Sequence, residues 1–520
     1  MADIVLISPR FEVSYWGLEY VLPLVGKRAN MPVACLPLLA ALAPPGHSVT
    51  LIDENVEDID YDRCARADIV GVTGMVVQRR RMREILAELR RRGVFLAVGG
   101  PWATVKEDDF QGLADVVFVG EAEQTWPRFL AAWERGAHRA RYEQAEKTDM
   151  ATLPTPRFDL LKMRHYAFGS LQFSRGCPFQ CEFCDIIVTF GRKPRIKTTA
   201  QVLAELEALR AQGIRQAFIV DDNLIGNKRA IKDLLRDLIA WQERNGYPMT
   251  FFTEASLDLA GEPELMRLMD QANIPSVFVG IESPNEESLR ETRKYQNVRA
   301  GGTLVEKVHR IQEAGIEVWC GMILGFDHDD ATVFDAQLRF IAEARIINVM
   351  LGMLSAIPKT PLHDRLAAEG RLDPADEPEF GTNVIPLGLD RAELRAGYVR
   401  VLSALNDTTA YFDRMDDLYL KARLDFSRAA NRHWRRHPWR LVRAKGRFLI
   451  RALALLALLA RRVPEPALRR EYLRRVWRLM KARPDPDVLW IYVVKCAMHY
   501  HAHTMARRMR TGLAPVVNSF

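Results

Sequence analysis

Three of the seven cysteines in this 520-residue chain fall within eight positions, Cys177-Pro-Phe-Gln-Cys181-Glu-Phe-Cys184. Seven is too few for a disulfide scaffold, so the cluster points to a metal site in a reducing compartment. Zinc sites close with four ligands, commonly from paired C-x2-C units, and no fourth Cys or His stands near this loop. Three thiolates on one short loop can instead hold three irons of a four-iron cluster and leave the fourth iron open. An open iron takes an external ligand, and the amine and carboxylate of an amino acid can chelate it. Two other groups stand out nearby. Asp221-Asp222-Asn223 follows an apolar run and reads either as a site at a strand end or as a helix cap. Arg192, Lys193, Arg195 and Lys197 read either as partners for a carboxylate or as a solvated charged face.

The elements that must position these groups form a β/α series. Strand patterns fit Leu171–Ser174, Ala217–Val220, Thr250–Glu254, Val277–Gly280, Val318–Leu324 and Val349–Ala356, with helical patterns such as Thr199–Gln212 and Ile231–Asn245 between them. Six such units make a partial or full barrel with its chemistry at the C-terminal rim. An earlier series alternates the same way. Its strands are Ile4–Ser8, His47–Asp53, Asp68–Thr73, Phe95–Val98 and Asp115–Val119, with helices at Leu36–Leu42 and Arg80–Arg92. That pattern predicts a doubly wound parallel sheet binding a ligand at its carboxyl ends. Gly74, Gly99, Gly100 and Gly120 sit at those ends, and each reads either as a close-approach point or as a tight turn. The expected fold class is therefore α/β: a doubly wound Rossmann-like domain over 1–140, a linker over 141–166, a partial (β/α)6 barrel over 167–371 and a helical region over 372–520.

On these residues the central region resembles the radical S-adenosylmethionine (SAM) superfamily. The resemblance implies that Cys177, Cys181 and Cys184 hold a 4Fe-4S cluster and that SAM chelates its open iron. It further implies adenine packing at Phe183 and contacts to the SAM amino group at Asp221, Asp222 and Asn223. Glu282 and Ser283 of Gly280-Ile-Glu-Ser283 match a fourth-strand motif. Gly321, Ile323 and Gly325 match an adenine-contacting GxIxG, and Ile357-Pro-Lys-Thr-Pro-Leu362 a sixth-strand segment. Asp221 and Asp222 as caps, Glu282 as a helix-start acid and the two glycines as plain strand ends remain the alternative readings.

The first domain resembles the cobalamin-binding domain that precedes many radical SAM enzymes. Its matching pieces are Pro37-Leu-Leu-Ala-Ala, Gly46-His47 to Asp53, Val70–Gly74, Gly99-Gly100-Pro101 and Val119-Gly120-Glu121-Ala-Glu123. The resemblance implies cobalamin contacts at Thr73, Gly74, Met75, Gly99, Gly100, Gly120 and Glu121, with the Thr73–Gln78 loop toward the lower side of the cofactor. The D-x-H-x-x-G that supplies an axial histidine elsewhere is absent, since Asp53 is followed by Glu54 and Asn55. His47 reads as structural, as do Cys35 and Cys64. Cobalamin together with radical SAM chemistry implies a C-methyltransferase. A methylthiotransferase is disfavoured, because the first 150 residues hold only Cys35 and Cys64. A dinucleotide site is disfavoured as well, because no Gly-x-Gly-x-x-Gly follows Ser8.

Charge is unevenly distributed. Residues 421–520 carry 24 Lys+Arg against 5 Asp+Glu, net +19, whereas residues 1–420 are net −12. A basic tail on an acidic body calls for an anionic partner. Trp434, Trp439, Trp477 and Trp490 among arginines suit a lipid headgroup interface, and the competing reading is a helical bundle that packs on the acidic body. A nucleic-acid partner is not expected, because no recognition module appears. Cys496, His499 and His503 share a helix face, either as a second metal site or as a polar helix end. No stretch reaches the ~18–20 apolar residues of a membrane span. The start, MADIVLISPRF, lacks the basic and apolar regions of a secretory signal. The expected setting is cytoplasmic, with association at the inner membrane surface through the tail. Residues 383–412, from Asn383-Val-Ile-Pro386 to Tyr411-Phe412, resemble the subgroup containing hopanoid C-2 methylases. That implies a small-molecule or lipid substrate and an electron donor such as flavodoxin or ferredoxin. An anaerobic cyclase, a peptide- or antibiotic-tailoring enzyme, and a non-catalytic cluster or cobalamin sensor remain the alternatives.

Overall fold

Apolar, β-branched runs of four to six residues form five of the six strands of the first sheet of the computed structural model, which describes residues 1–518 except Trp16, Ala300, 374–380 and Ser427. Its strands are β1 (Asp3–Ser8), β2 (Ser48–Asp53), β3 (Ile69–Thr73), β4 (Leu96–Gly99), β5 (Val116–Val119) and β6 (Arg141–Glu143). All pair in parallel in the order β2-β1-β3-β4-β5-β6. The order reverses between β1 and β3, so the crevice for a ligand lies above their carboxyl ends. The five expected strands are all present. The sixth, β6, falls in the stretch read as linker: three polar residues carry no apolar signal, and they form an edge strand because β5 offers free backbone groups.

The second sheet holds β7 (Gly169–Leu171), β10 (Gln216–Ile219), β11 (Thr250–Ala255), β12 (Ser276–Glu282), β13 (Glu317–Leu324) and β14 (Val349–Met353), while β8 (Ser174–Arg175) and β9 (Arg195–Ile196) form a separate antiparallel pair. The order β14-β13-β12-β11-β10-β7 is parallel throughout and leaves the barrel open between β7 and β14. Side chains alternate by strand parity. Ala217, Ile219, Phe251, Thr253, Val277, Val279, Val318 and Cys320 are sealed on the helix-covered face. Phe218, Phe252, Glu254, Phe278 and Trp319, of the opposite parity, are half-buried and line the inner face. Phe252 stacks on Phe218 at 4.6 Å and meets Phe168 edge-on at 5.0 Å. At the open edge the Asn518 amide brackets Met353, accepting from its N–H at 2.8 Å and donating to its carbonyl at 2.7 Å. This caps backbone groups that would otherwise template a further strand.

The chain after the barrel is helical, ending in Arg391–Leu405, Thr408–Asp416, Arg428–Arg435, Pro438–Arg462, Pro466–Ala482 and Pro486–Arg510. These helices build a second core around Phe412, Tyr419, Tyr472, Tyr492 and Leu479, and they dock on the barrel through charge. Lys495 donates to Glu317 at 2.6 Å with both side chains buried, and its ammonium lies 4.3 Å from the Trp319 ring. Within the bundle, Arg475 pairs with Asp416 at 2.6 Å, both side chains again buried. The bundle therefore packs on the body as one of the two readings of the tail expects. Cys496 and His499 are buried, but the His499 ring is spent on Tyr472 and the Asn406 carbonyl, and His503 is on that same carbonyl.

Breaking the Lys495–Glu317 pair from one side leaves a buried carboxylate uncompensated. Lys495→Met should lower stability by ~3–5 kcal/mol. Adding Glu317→Gln should recover part of that loss, read as the order of thermal midpoints of the three proteins.

Candidate active site

The cysteine loop leaves β8 at Gly176, whose φ of +95° only glycine adopts readily; a Cβ there would meet the carbonyls of Gly191 and Lys193 at 2.9 and 3.0 Å. Its path is held by the two aspartates that end β10. Asp221 accepts from Phe173 N–H, Ser174 N–H and Ser174 Oγ at 2.6–2.7 Å. Asp222 accepts from Gly176 N–H at 2.7 Å. Asp221 therefore has both oxygens committed to backbone and hydroxyl donors and positions the loop, while Asp222 has one oxygen left toward the site. Burial pushes the Asp221 carboxyl up to about 6 and the Asp222 carboxyl up to about 7, against the hydrogen bonds that favour their charged forms.

All three cysteines are reduced. Asn223 Nδ2 lies 3.9 Å from Cys177 Sγ, and its other contacts join it to Ser256 at 3.0 Å. Gln296 Nε2 lies 3.4 Å from Cys181 Sγ. Burial raises the Cys177 and Cys184 thiols, so binding a metal to these two would release protons.

The opposite wall is a strained strand end. A bulge at Gly280–Glu282 interrupts the pairing of β12 with β13, and Glu282 has a φ of +68°. That conformation turns its carboxylate inward. Lys294 donates to Glu282 Oε1 at 2.6 Å, both groups being buried, and Glu282 Oε2 is buried with no partner. The Lys294 ammonium also lies 5.8 Å from the Phe183 ring, next to Cys181 and Cys184. Phe183 packs with Phe326 and Ile323. Gly280 is paired with Gly321 on the adjacent strand, and a Cβ on Gly280 would lie 2.2 Å from Glu282 Oε1 and 2.8 Å from Lys294 Nζ. Gly325, at φ +101°, starts a turn held by Asp329. Ser283 is buried and its hydroxyl accepts from Asn285 N–H at 3.1 Å, a turn rather than an open donor.

Three thiols, a buried unpartnered carboxylate, an ammonium and an apolar wall thus converge on one chamber. That is the donor set for an iron–sulfur cluster beside a zwitterionic, aromatic-tailed ligand. Lys294, Gln296 and Glu254 were not expected from the sequence. Glu254 ends β11 as Asp221 and Asp222 follow β10, and the same strand-end criterion would have found it. Lys294 comes from a turn after a short helix, with no local signal that it returns over the site. Burial, aided by Asp222, Asp221 and Glu282, pushes the Glu254 carboxyl up to about 8 against the pull of Lys294.

The first domain meets this rim. Thr73 pairs with Gly99 across β3 and β4. A Cβ on Gly100 would sit 2.4 Å from Thr73 Oγ1. Gly120, at φ +81°, donates to Thr104 Oγ1 at 3.0 Å. Thr73, Gly74, Gly99 and Gly100 therefore converge at the strand ends, and Met75 projects outward, exposed. Glu121 does not join them. Its carboxylate is buried on Arg195 at 2.8 Å, Arg175 at 3.1 Å and Thr148 N–H at 2.7 Å. Burial opposes its charge, but Arg195, the Thr148 N–H and Arg175 outweigh burial and hold the carboxyl below its ordinary value. Glu123 takes the same Arg175 at 2.5 Å. Arg175 immediately precedes Gly176, so this network ties the two domains at the cysteine loop. Lys359 adds a link, donating to the Thr104 carbonyl at 2.6 Å. Of the basic run, Arg195 serves Glu121, Lys197 is buried on Glu205, and Arg192 and Lys193 are exposed. Asn55, at the place of an axial histidine, spends its side chain on Asp53 and Phe11 N–H. His47 accepts from Ala2 N–H at the far end of the sheet.

Residues 171–338 match the radical SAM superfamily, and residues 360–514 match a domain of unknown function, DUF4070. The chain is 42% identical over 423 residues to an uncharacterized methyltransferase of Synechocystis, covering 80% of this chain and 78% of that protein. It is 36% identical over 388 residues to the hopanoid C-2 methylase of Rhodopseudomonas palustris, covering 74% and 73%. In fold it is similar to the cobalamin-dependent radical SAM enzyme OxsB, with a TM-score of 0.61, 14% identity and coverage of 99% and 81%. It is similar also to the radical SAM methyltransferase TsrM of Kitasatospora setae, with a TM-score of 0.59, 18% identity and coverage of 76% and 81%. The chain is a radical SAM protein. Within that superfamily it belongs to the methyltransferase family that includes the Rhodopseudomonas and Synechocystis proteins.

Two outcomes test this geometry. Gly280→Ala places a methyl in the Glu282–Lys294 contact and should weaken SAM binding at least about tenfold, ~1.4 kcal/mol, with an unchanged far-ultraviolet spectrum. Glu254 is protonated in the fold up to about pH 8 but ionises near 4.5 in the unfolded chain. It thus binds an extra proton in the native state between those values and lowers stability as pH rises through that window. Glu254→Gln should raise the thermal midpoint over the parent at pH 8 and lose that advantage by pH 5.

Proposed function

We propose that this protein is a cobalamin-dependent radical SAM C-methyltransferase that acts on an apolar, fused-ring lipid, with a hopanoid as the leading candidate. The observation that carries the reading is the chamber in which Cys177, Cys181 and Cys184 share walls with Glu282, Lys294 and Phe183. Cys177, Cys181 and Cys184 would hold the 4Fe-4S cluster, and the crevice at Thr73, Gly74, Gly99, Gly100 and Gly120 would hold cobalamin. When bound, cluster and SAM supply a radical able to remove hydrogen from unactivated carbon, and cobalamin supplies the methyl group.

The remaining roles belong to the chain itself. Lys294 places a positive charge beside Cys181 and Cys184, where a bound cluster would carry its negative charge. The unpartnered Glu282 oxygen can accept from an ammonium, while Phe183, Ile323 and Phe326 offer an apolar wall to an aromatic base. Asp221 and Asp222 fix the loop. The glycines at the first sheet's strand ends let a large planar ligand approach the backbone. Phe168, Phe218, Phe252 and Trp319 give the barrel below an aromatic surface suited to a hydrocarbon skeleton. A one-electron donor of the flavodoxin or ferredoxin type would supply the reducing equivalent.

The test is a reconstituted, anaerobic reaction with hopanoid, methylcobalamin, a strong reductant and SAM labelled in its methyl group. Label in the extracted hopanoid together with 5′-deoxyadenosine is the expected outcome. Cys181→Ala should abolish both products and most bound iron. Deoxyadenosine formation with unlabelled hopanoid would reject this lipid, and no deoxyadenosine at all would reject the radical reading.

A further inference from the structure

The helix Pro438–Arg462 packs through Ala444, Ala452, Leu455 and Leu459 and carries two parallel rows on its outer face. One row is apolar and open to solvent: Trp439 is 87% exposed, Val442 64%, Ile450 69% and Leu453 53%. With Gly446 and Ala457 these positions recur at intervals of three and four, a continuous stripe along the helix. Beside it runs Arg443, Arg447 and Arg451, each four residues from the next, with Arg440 at the start and Arg461-Arg462 at the end. The helix contains no Asp or Glu. Lys445 is the one cation of the helix in an ion pair among the described residues, with Asp485 and Asp487 on the neighbouring helix.

Both rows are costly in water. Like charges four residues apart repel by ~0.2–0.5 kcal/mol per pair. Partial burial and then the charges of Arg443, Arg451 and Arg215 hold Arg447 below its ordinary value. The apolar stripe forfeits the stabilisation that burial would bring. An apolar protein groove would cover the stripe and leave the arginines unmatched. A polyanion such as a nucleic acid would match the arginines and leave Trp439 and Ile450 wet. One kind of surface satisfies both rows, an anionic bilayer, where the stripe enters the acyl boundary and the guanidinium groups meet phosphates.

We propose that the outer face of Pro438–Arg462 is a membrane-docking surface that lies flat on anionic lipid. A helix of this length is about 37 Å long, and no helix among the described residues is long and apolar enough to cross a membrane. The preceding segment fixes where it sits. Arg428 abuts Gly315, just before β13, and Trp434 donates to the Gly246 carbonyl, just before β11, at 3.1 Å. The helix thus begins at the barrel pole where the strands start, away from the cysteine loop. Docking there leaves the cluster side and the first domain open to solvent and to a soluble electron donor.

The test uses the full-length protein and vesicle flotation, with vesicles of phosphatidylcholine alone or containing 30 mol% phosphatidylglycerol. The expected result is binding to the anionic vesicles only, weakened by added salt. Arg443→Gln/Arg447→Gln/Arg451→Gln and Ile450→Ser/Leu453→Ser should each cut vesicle binding at least about tenfold while leaving the thermal midpoint unchanged. Brominated lipid should quench tryptophan emission, and Trp439→Phe should remove most of that quenching. Equal binding to both vesicle types, or variants that bind like the parent, would overturn the proposal. So would loss of DNA binding in the arginine variant without loss of vesicle binding. The assay needs no cluster, SAM or cobalamin, so its outcome is separate from that of the methyl-transfer reaction.

Discussion

Buried carboxylates at the ends of parallel strands need hydrogen-bond donors, and in this protein the donors are the backbone of the cysteine loop. Asp221 takes Phe173 and Ser174, and Asp222 takes Gly176. Those bonds set the direction in which the chain leaves β8, and Gly176 alone tolerates the resulting turn. The three thiols share a chamber because two aspartates hold the start of their loop. The cost of burying these carboxylates is visible in their raised proton affinity, and the backbone donors keep it moderate.

The same loop is tied from the other side. Arg175, one residue before Gly176, is buried between Glu121 and Glu123 of the first domain, and Arg195 of β9 joins them. Buried ion pairs of this kind contribute little net stability against an apolar equivalent, but they resist the loss of one partner and fix register. Here the register is between two sheets whose carboxyl ends face one another. The strand-end glycines of the first domain are thereby set against the rim that carries the cysteines, and Lys359 reinforces the contact from the end of the barrel.

Much of this was legible in the sequence. Apolar runs marked eleven strands, and the spacing of Cys177, Cys181 and Cys184 marked the cysteine loop. Short polar β6 was not legible, because an edge strand with no buried face has no apolar pattern. Glu121 shared the strand-end signature of its glycine neighbours, yet its side chain turns to arginines 54 and 74 residues away in sequence. Lys294 and Gln296 reach the thiols from a turn and the short helix that follows it, more than a hundred residues downstream of Cys181, a proximity set by the curl of the barrel rather than by any local pattern. Asp221 was expected to face the ligand, but both its oxygens hold the loop, because position at a strand end does not say whether a carboxylate faces backbone or cavity. The basic tail was legible as charge, while its division into a docked bundle and one exposed helix face depended on packing.

Cys177, Cys181 and Cys184 would hold iron and leave one iron accessible to SAM. Iron and sulfide analysis of anaerobically reconstituted protein, with electron paramagnetic resonance of the reduced form before and after SAM, tests this most directly. About four irons and four sulfides per chain are expected, with a signal whose shape changes when SAM is added. Stoichiometric zinc at the cysteine loop, or a reduced-cluster signal that SAM leaves unaltered, would contradict it.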